Sequence, residues 1–204
     1  MMKLFKNEDA FTGLEAAIVL IAFVVVAAVF SYVMLGAGFF ATQEAQQVVH
    51  TGSQQASSSL EIIGNIYGRA TSSGSELGSI EFTVGNTAGG TPIDISQMLV
   101  TFTSGTVSEV ITYDKDSSVV SGGSGTPSTP SAGTWAVNNT YNDIGDTKNH
   151  LLEPGEQFVL KIVFPDTVEL KPNTPFSVNL QPAVGAVYPI KKTVPAYLNT
   201  VNTL

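Results

Sequence analysis

Glu15 stands at the head of a stretch, Ala16 to Gln43, in which no residue carries a formal charge. An ionised carboxylate beside that much apolar surface is costly and is retained where a partner or a function compensates. The chemistry open to it is charge pairing, which requires a cation nearby. Cutting the chain between Ala10 and Phe11 would supply one of the right kind: a free α-amino group at Phe11, with Glu15 as the fifth residue of a chain beginning FTGLE.

The other residues with chemical potential are few. Asn138-Asn139-Thr140 is the one Asn-x-Ser/Thr sequence with an allowed middle residue, and it makes Asn138 a candidate glycan acceptor in what reads as an exposed polar turn. Asp114 with Asp116, and Asp143 with Asp146, form two acidic pairs; they read as turn-forming carboxylates rather than as a full loop of calcium ligands. His50 falls in a long helical pattern and His150 in a polar loop, neither within a motif for metal binding or nucleophile activation. Cysteine is absent, so thiolate chemistry and disulfides are excluded. The glycines fall in turns and low-complexity runs, not between a strand and a helix as a phosphate-binding loop requires. No catalytic residues and no cofactor are expected.

The elements that position these residues begin with a short polar leader, residues 1–10, carrying Lys3 and Lys6. It precedes the apolar run instead of following it, unlike an ordinary secretory signal. The run is long enough to cross a bilayer, with the two lysines holding the leader on the cytoplasmic side. Beyond it, Ala41, Ala45, Val48, Gly52, Ala56, Ser59 and Ile63 recur at spacings of four and three. This narrow stripe of small and apolar residues predicts that the helix continues over 11–68 and packs against other helices. Some sixteen large apolar side chains lie between Ile18 and Phe40. At about 1.5–3 kcal/mol each, their burial greatly exceeds the cost of one paired carboxylate.

From Glu76 onward the period becomes strand-like. SIEFTVGN, DISQMLVTFTSG, TVSEVITYD, EQFVLKIVF and FSVNL are short runs of Val, Ile, Phe and Thr separated by Gly, Pro and Asn. They predict an antiparallel, immunoglobulin-like β-sandwich over 69–204 and an α+β chain as a whole. In EQFVLKIVF one face, Phe158, Leu160, Ile162 and Phe164, is core; the other carries Val159 and Val163, to be covered within the chain or by a neighbour. Residues 117–133, SSVVSGGSGTPSTPSAG, lack apolar periodicity and are expected to form an exposed loop.

The leader, the bulky apolar Phe11 and the Glu at the fifth position of FTGLE resemble the processing site of type IV pilin precursors. The segments VGNTAGGTPIDISQMLVTF and LEPGEQFVLKIVFP, with the Asn173, Pro175, Pro182 and Gly185 punctuation near the end, resemble archaellins within that superfamily. Ala10 departs from the Gly that usually ends such leaders. The resemblance implies a prepilin-like leader peptidase cutting between Ala10 and Phe11, and Glu15 meeting the Phe11 amine of an adjacent subunit. It also implies a homopolymer of identical or paralogous subunits, extracted from the cytoplasmic membrane by an assembly ATPase. The filament would be the extracellular archaellum, whose rotation drives swimming, and Asn138 would be its glycan site.

Composition agrees with an exposed β-rich protein: 43% hydrophobic but only 13% charged residues. A net charge of −8 with nine scattered Lys and Arg offers no stripe for a phosphate backbone, so nucleic acid is not an expected partner. Two other readings compete, an archaeal adhesive pilin and a membrane-anchored binding module that does not polymerise.

Overall fold

The computed structural model describes residues 8–57, 59–71, 74–87, 90–120, 128–145 and 148–204, with helix side chains from 13 to 53. Its contacts divide the chain between Thr51 and Gly52 into two compact units. The described residues of the first are all helical. Helix α1 runs Glu8–Ser57, 50 residues, which at 1.5 Å each is about 75 Å of helix.

The helix ends earlier than the 11–68 span that the small-residue stripe suggests. Ser57, Ser58 and Ser59 stand in succession, and serine side chains compete for the backbone groups that a helix must use. Past them, Leu60–Ala70 forms a strand, β1, rich in isoleucine. Ala41, Ala45, Val48 and Gly52 do share helix α1, whereas Ile63 belongs to β1.

In the second unit β1 is followed by β2 (Leu77–Asn86), β3 (Ile93–Asp94), a turn of 3-10 helix (Ile95–Gln97), β4 (Leu99–Ser104) and β5 (Val107–Tyr113). Then come β6 (Thr134–Tyr141), β7 (Leu151–Leu152), β8 (Gln157–Val163), β9 (Pro175–Gln181), β10 (Tyr188–Thr193) and β11 (Val201–Thr203). Among the described residues the hydrogen-bonded order is β10-β9-β4-β5-β6-β8-β2-β1-β11, with β3 and β7 pairing separately. All pairings between these strands are antiparallel except β5 with β6, which meet in parallel at Thr112↔Thr134 and Tyr113↔Trp135. This short stitch joins an antiparallel set, β10-β9-β4-β5, to a second, β6-β8-β2-β1-β11. The chain is thus the expected α+β type: a long apolar helix followed by a mostly antiparallel β-domain.

Period-two burial builds the core. Val100 and Phe102 of β4, Phe176, Val178 and Leu180 of β9, and Phe158, Leu160 and Ile162 of β8 are all buried. Phe102 lies 5.0 Å from the Phe164 ring and 6.4 Å from Phe176, tying the two antiparallel sets together. Val159, on the opposite face of β8, is also buried inside the chain, so its cover needs no neighbour. The outer edges are blunted: β11 has three residues, and β10 carries Pro189, Lys191 and Lys192. Such edges resist strand addition by another chain.

The low-complexity stretch is less exposed than expected. Ser118, Val119 and Val120 are buried, and the Val119 N–H donates to the Val137 carbonyl at 2.9 Å, extending the flank of β6. Two adjacent valines suffice to anchor this segment although no periodicity announces it. Residues 121–127 lie outside the described residues.

Candidate assembly site

Helix α1 presents its apolar residues outward throughout. Ile18, Phe23, Phe30, Leu35 and Phe39 are each about 60–70% exposed, and the other large apolar side chains from Leu14 to Val49 lie between 52% and 80%. By length and composition Gly13–Ser53 can cross a membrane. No globular domain leaves such a surface in water, because each large side chain forgoes about 1.5–3 kcal/mol of burial. The surface therefore needs lipid, other helices, or each in turn.

Glu15 is the third residue in the stretch of described helix side chains and is exposed. Among the described residues the ion pairs are Arg69–Glu81, at 3.1 Å, and Lys171–Glu169, so Glu15 has no cationic partner in its own chain there. Ala10 and Phe11 occupy the first turn of the helix, and their side chains lie outside the described residues. The N–H groups of a first turn lack intrahelical partners, which makes it the turn that opens most readily.

The candidate sites of the second unit are held by its strands. Asn138 sits in β6 rather than in an exposed turn, at a bulge between the register pairs Val137↔Leu160 and Asn139↔Val159. Its side chain is half-buried. Asp114 makes a turn: Oδ1 accepts the N–H groups of Asp116 and Ser117, and Oδ2 accepts the Ser117 hydroxyl at 2.8 Å. These hydrogen bonds, with the Ser117 hydroxyl first, hold its carboxyl below the usual aspartate range. Asp143 accepts the Thr140 hydroxyl at 2.9 Å, and Asp146 lies outside the described residues. Among the described residues no group of three His, Asp or Glu is placed to hold a metal ion. His50 is exposed on α1, while the half-buried His150 ring stands edge-on to Tyr113 at 6.2 Å.

A family model described as archaeal-type flagellin matches residues 10–192. The chain belongs to the archaeal-type flagellin family. This flagellin is 39% identical over 206 aligned residues to probable flagellin 1 of Archaeoglobus fulgidus, covering all of this chain and 98% of the relative. It is 42% identical to probable flagellin 2 of the same organism, over 95% of this chain and 93% of that one. Among solved structures it resembles the archaeal flagellum of Methanospirillum hungatei strain JF1, with a TM-score of 0.70 and 33% identity, covering 94% of this chain and 99% of that one. This flagellin is a structural filament subunit, and the exposed face of α1 is the feature that suits it to that role.

Two buried polar residues that hold the second unit together escaped the sequence reading. Glu156, only 3% exposed, accepts the N–H of Ile144 and of Glu153. Asn86, also buried, donates through Nδ2 to the carbonyls of Thr91 and Leu152. Both precede or follow glycine in strand-turn sequences, and that local setting was their only signal.

Proposed function

We propose that the chain is made as a membrane precursor, is cut between Ala10 and Phe11 by a prepilin-like leader peptidase, and polymerises with copies of itself into an extracellular archaellum. Helix α1 is the assembly element. In the bilayer its apolar side chains face lipid; in the filament they face other helices, so the transfer keeps them buried in both states. An ATP-driven assembly machine supplies the work of extraction. Cleavage gives Phe11 a free α-amino group, which pairs with Glu15 of an adjacent subunit and neutralises both charges within the bundle. Asn138 is the glycan acceptor. No catalytic role is assigned to any residue.

The observation that carries this reading is a 50-residue helix with an uncovered apolar surface in a chain of the flagellin family. Electron microscopy of sheared surface material, with swimming assays on a strain lacking the gene, tests it. Filaments containing this chain and loss of swimming on deletion are expected. Thin attachment pili built from it, or its presence only as dispersed molecules in the envelope, would replace the reading.

A further inference from the structure

The three residues of the candidate glycan site are bound into a strand that is paired on both flanks. On one side β6 pairs with β8 through Val137↔Leu160, Asn139↔Val159 and Thr140↔Phe158. On the other, the Val137 carbonyl accepts the Val119 N–H. Thr140 is only 7% exposed; its hydroxyl donates to Asp143 Oδ2 at 2.9 Å, and its N–H donates to Asn139 Oδ1 at 3.0 Å.

Transfer of a glycan to asparagine needs what this arrangement withholds. The bond that forms joins Asn138 Nδ2 to the anomeric carbon of a lipid-phosphate-linked oligosaccharide. The bond that breaks joins that carbon to the phosphate oxygen, whose electron pair leaves with the lipid phosphate, while the amide proton passes to a carboxylate of the transferase. The enzyme reads the hydroxyl two residues after the asparagine and must bend the backbone around the acceptor to reach both groups. In the folded domain the hydroxyl of Thr140 is buried and committed to Asp143. Bending β6 there would break its pairing with β8 and uncover Trp135 and Val137, which are fully buried.

We infer that Asn138 accepts a glycan only before the β-domain folds, so that closure of β6 ends the period in which modification is possible. This rests on the reading of Asn138 as the acceptor. The bulge makes the order workable in the other direction. Asn138 lies outside the register ladder with its side chain half-buried, so a glycan attached earlier has a route to solvent when the strand closes.

Three acceptors, offered to an archaeal membrane oligosaccharyltransferase with its lipid-linked oligosaccharide, test this: the folded full-length chain in detergent, a peptide covering 134–143, and a full-length Leu160→Asp chain. Leu160 is fully buried in β8, so an aspartate there keeps the domain open. The expected result is modification of the peptide and of the open chain at Asn138, with the folded chain slower by about tenfold or more, as protection by a closed structure requires. Equal rates for the folded chain and the peptide would overturn the ordering and leave Asn138 as the acceptor. No modification of peptide or open chain would overturn the acceptor assignment itself, and the ordering with it.

Discussion

The carboxylate of Glu156 accepts the backbone N–H of Ile144 at 2.6 Å, linking residues twelve positions apart. The second oxygen takes the N–H of Glu153 at 3.0 Å, so one buried side chain holds the connection between β6 and β8 at two points. Removing it leaves two backbone donors in the part-buried connection without their acceptor. Glu156→Ala is expected to destabilise the β-domain by about 1–3 kcal/mol, the loss of two part-buried hydrogen bonds to a carboxylate whose donors water can partly reach. Gln, which keeps one acceptor oxygen, should lose less. Trp135 is the single tryptophan, so urea unfolding followed by its fluorescence reads the domain directly. An unchanged midpoint for the alanine variant would show that the loop holds without this pin.

Acid sensitivity of the same domain should trace in part to Asp114. Its folded carboxyl is more acidic than in the open chain, chiefly because of the Ser117 hydroxyl and then the surrounding N–H donors. A depressed folded pKa contributes stability above the unfolded value, and that contribution is lost as pH falls through the folded one. Stability should therefore drop as pH falls below the ordinary aspartate range. In Asp114→Asn this part of the slope should flatten, which thermal unfolding across an acid pH series would measure. Identical slopes in the two proteins would remove Asp114 from the account.

At the head of α1, Glu15→Gln should leave membrane insertion intact and abolish or sharply reduce filament yield, because the Phe11 amine is left unpaired in an apolar bundle. Membrane fractionation and microscopy of the same cells separate the two steps. Filaments in wild-type numbers would defeat the pairing. Amino-terminal sequencing of filament protein should begin at Phe11, and a retained Met1 would defeat the cleavage site.

The bulge of β1 depends on Gly64, whose φ is +82. Gly64→Val, a β-branched residue in a left-handed conformation, should destabilise the domain by about 1–2 kcal/mol. No side chain or backbone atom stands within 4 Å of where its Cβ would lie, so the effect is conformational rather than steric. Chemical denaturation of Gly64→Val beside Gly64→Ala should show both destabilised. A neutral result would mean that the bulge relaxes at no cost.

Much of this architecture is legible in the residues. The runs at SIEFTVGN, DISQMLVTFTSG, TVSEVITYD, EQFVLKIVF and FSVNL correspond to β2, β4, β5, β8 and β9, because alternation of apolar residues in a half-buried strand is a local property. β1 is the instructive exception. Its Ile63 continues the helical spacing of Ala56 and Ser59 by coincidence, and only pairing with β2 and β11 makes the segment a strand. β6 escaped because TWAVNNTY alternates poorly; its three buried apolar residues Trp135, Ala136 and Val137 are consecutive, as burial on both faces permits.

The glycan candidate was visible as a sequence but not as a place. A three-residue match carries no information about strand pairing, and so the half-buried bulge at Asn138 belongs to long-range contacts with β8, while the Thr140 hydroxyl is engaged by Asp143, just outside the match.

By itself the sequence determined that a short charged segment precedes an uncharged apolar stretch, that Glu15 stands at the head of that stretch, and that a strand-rich region follows. These are matters of composition and short-range period, which any folded form must respect. The tertiary structure decided where α1 stops, how two antiparallel sets join through Thr112 and Tyr113, and which polar groups, Glu156 and Thr140 among them, are taken out of water. The pairing of β1 with β2 and β11, and of β6 with β8, depends on residues far away along the chain, and no local pattern specifies such a partner.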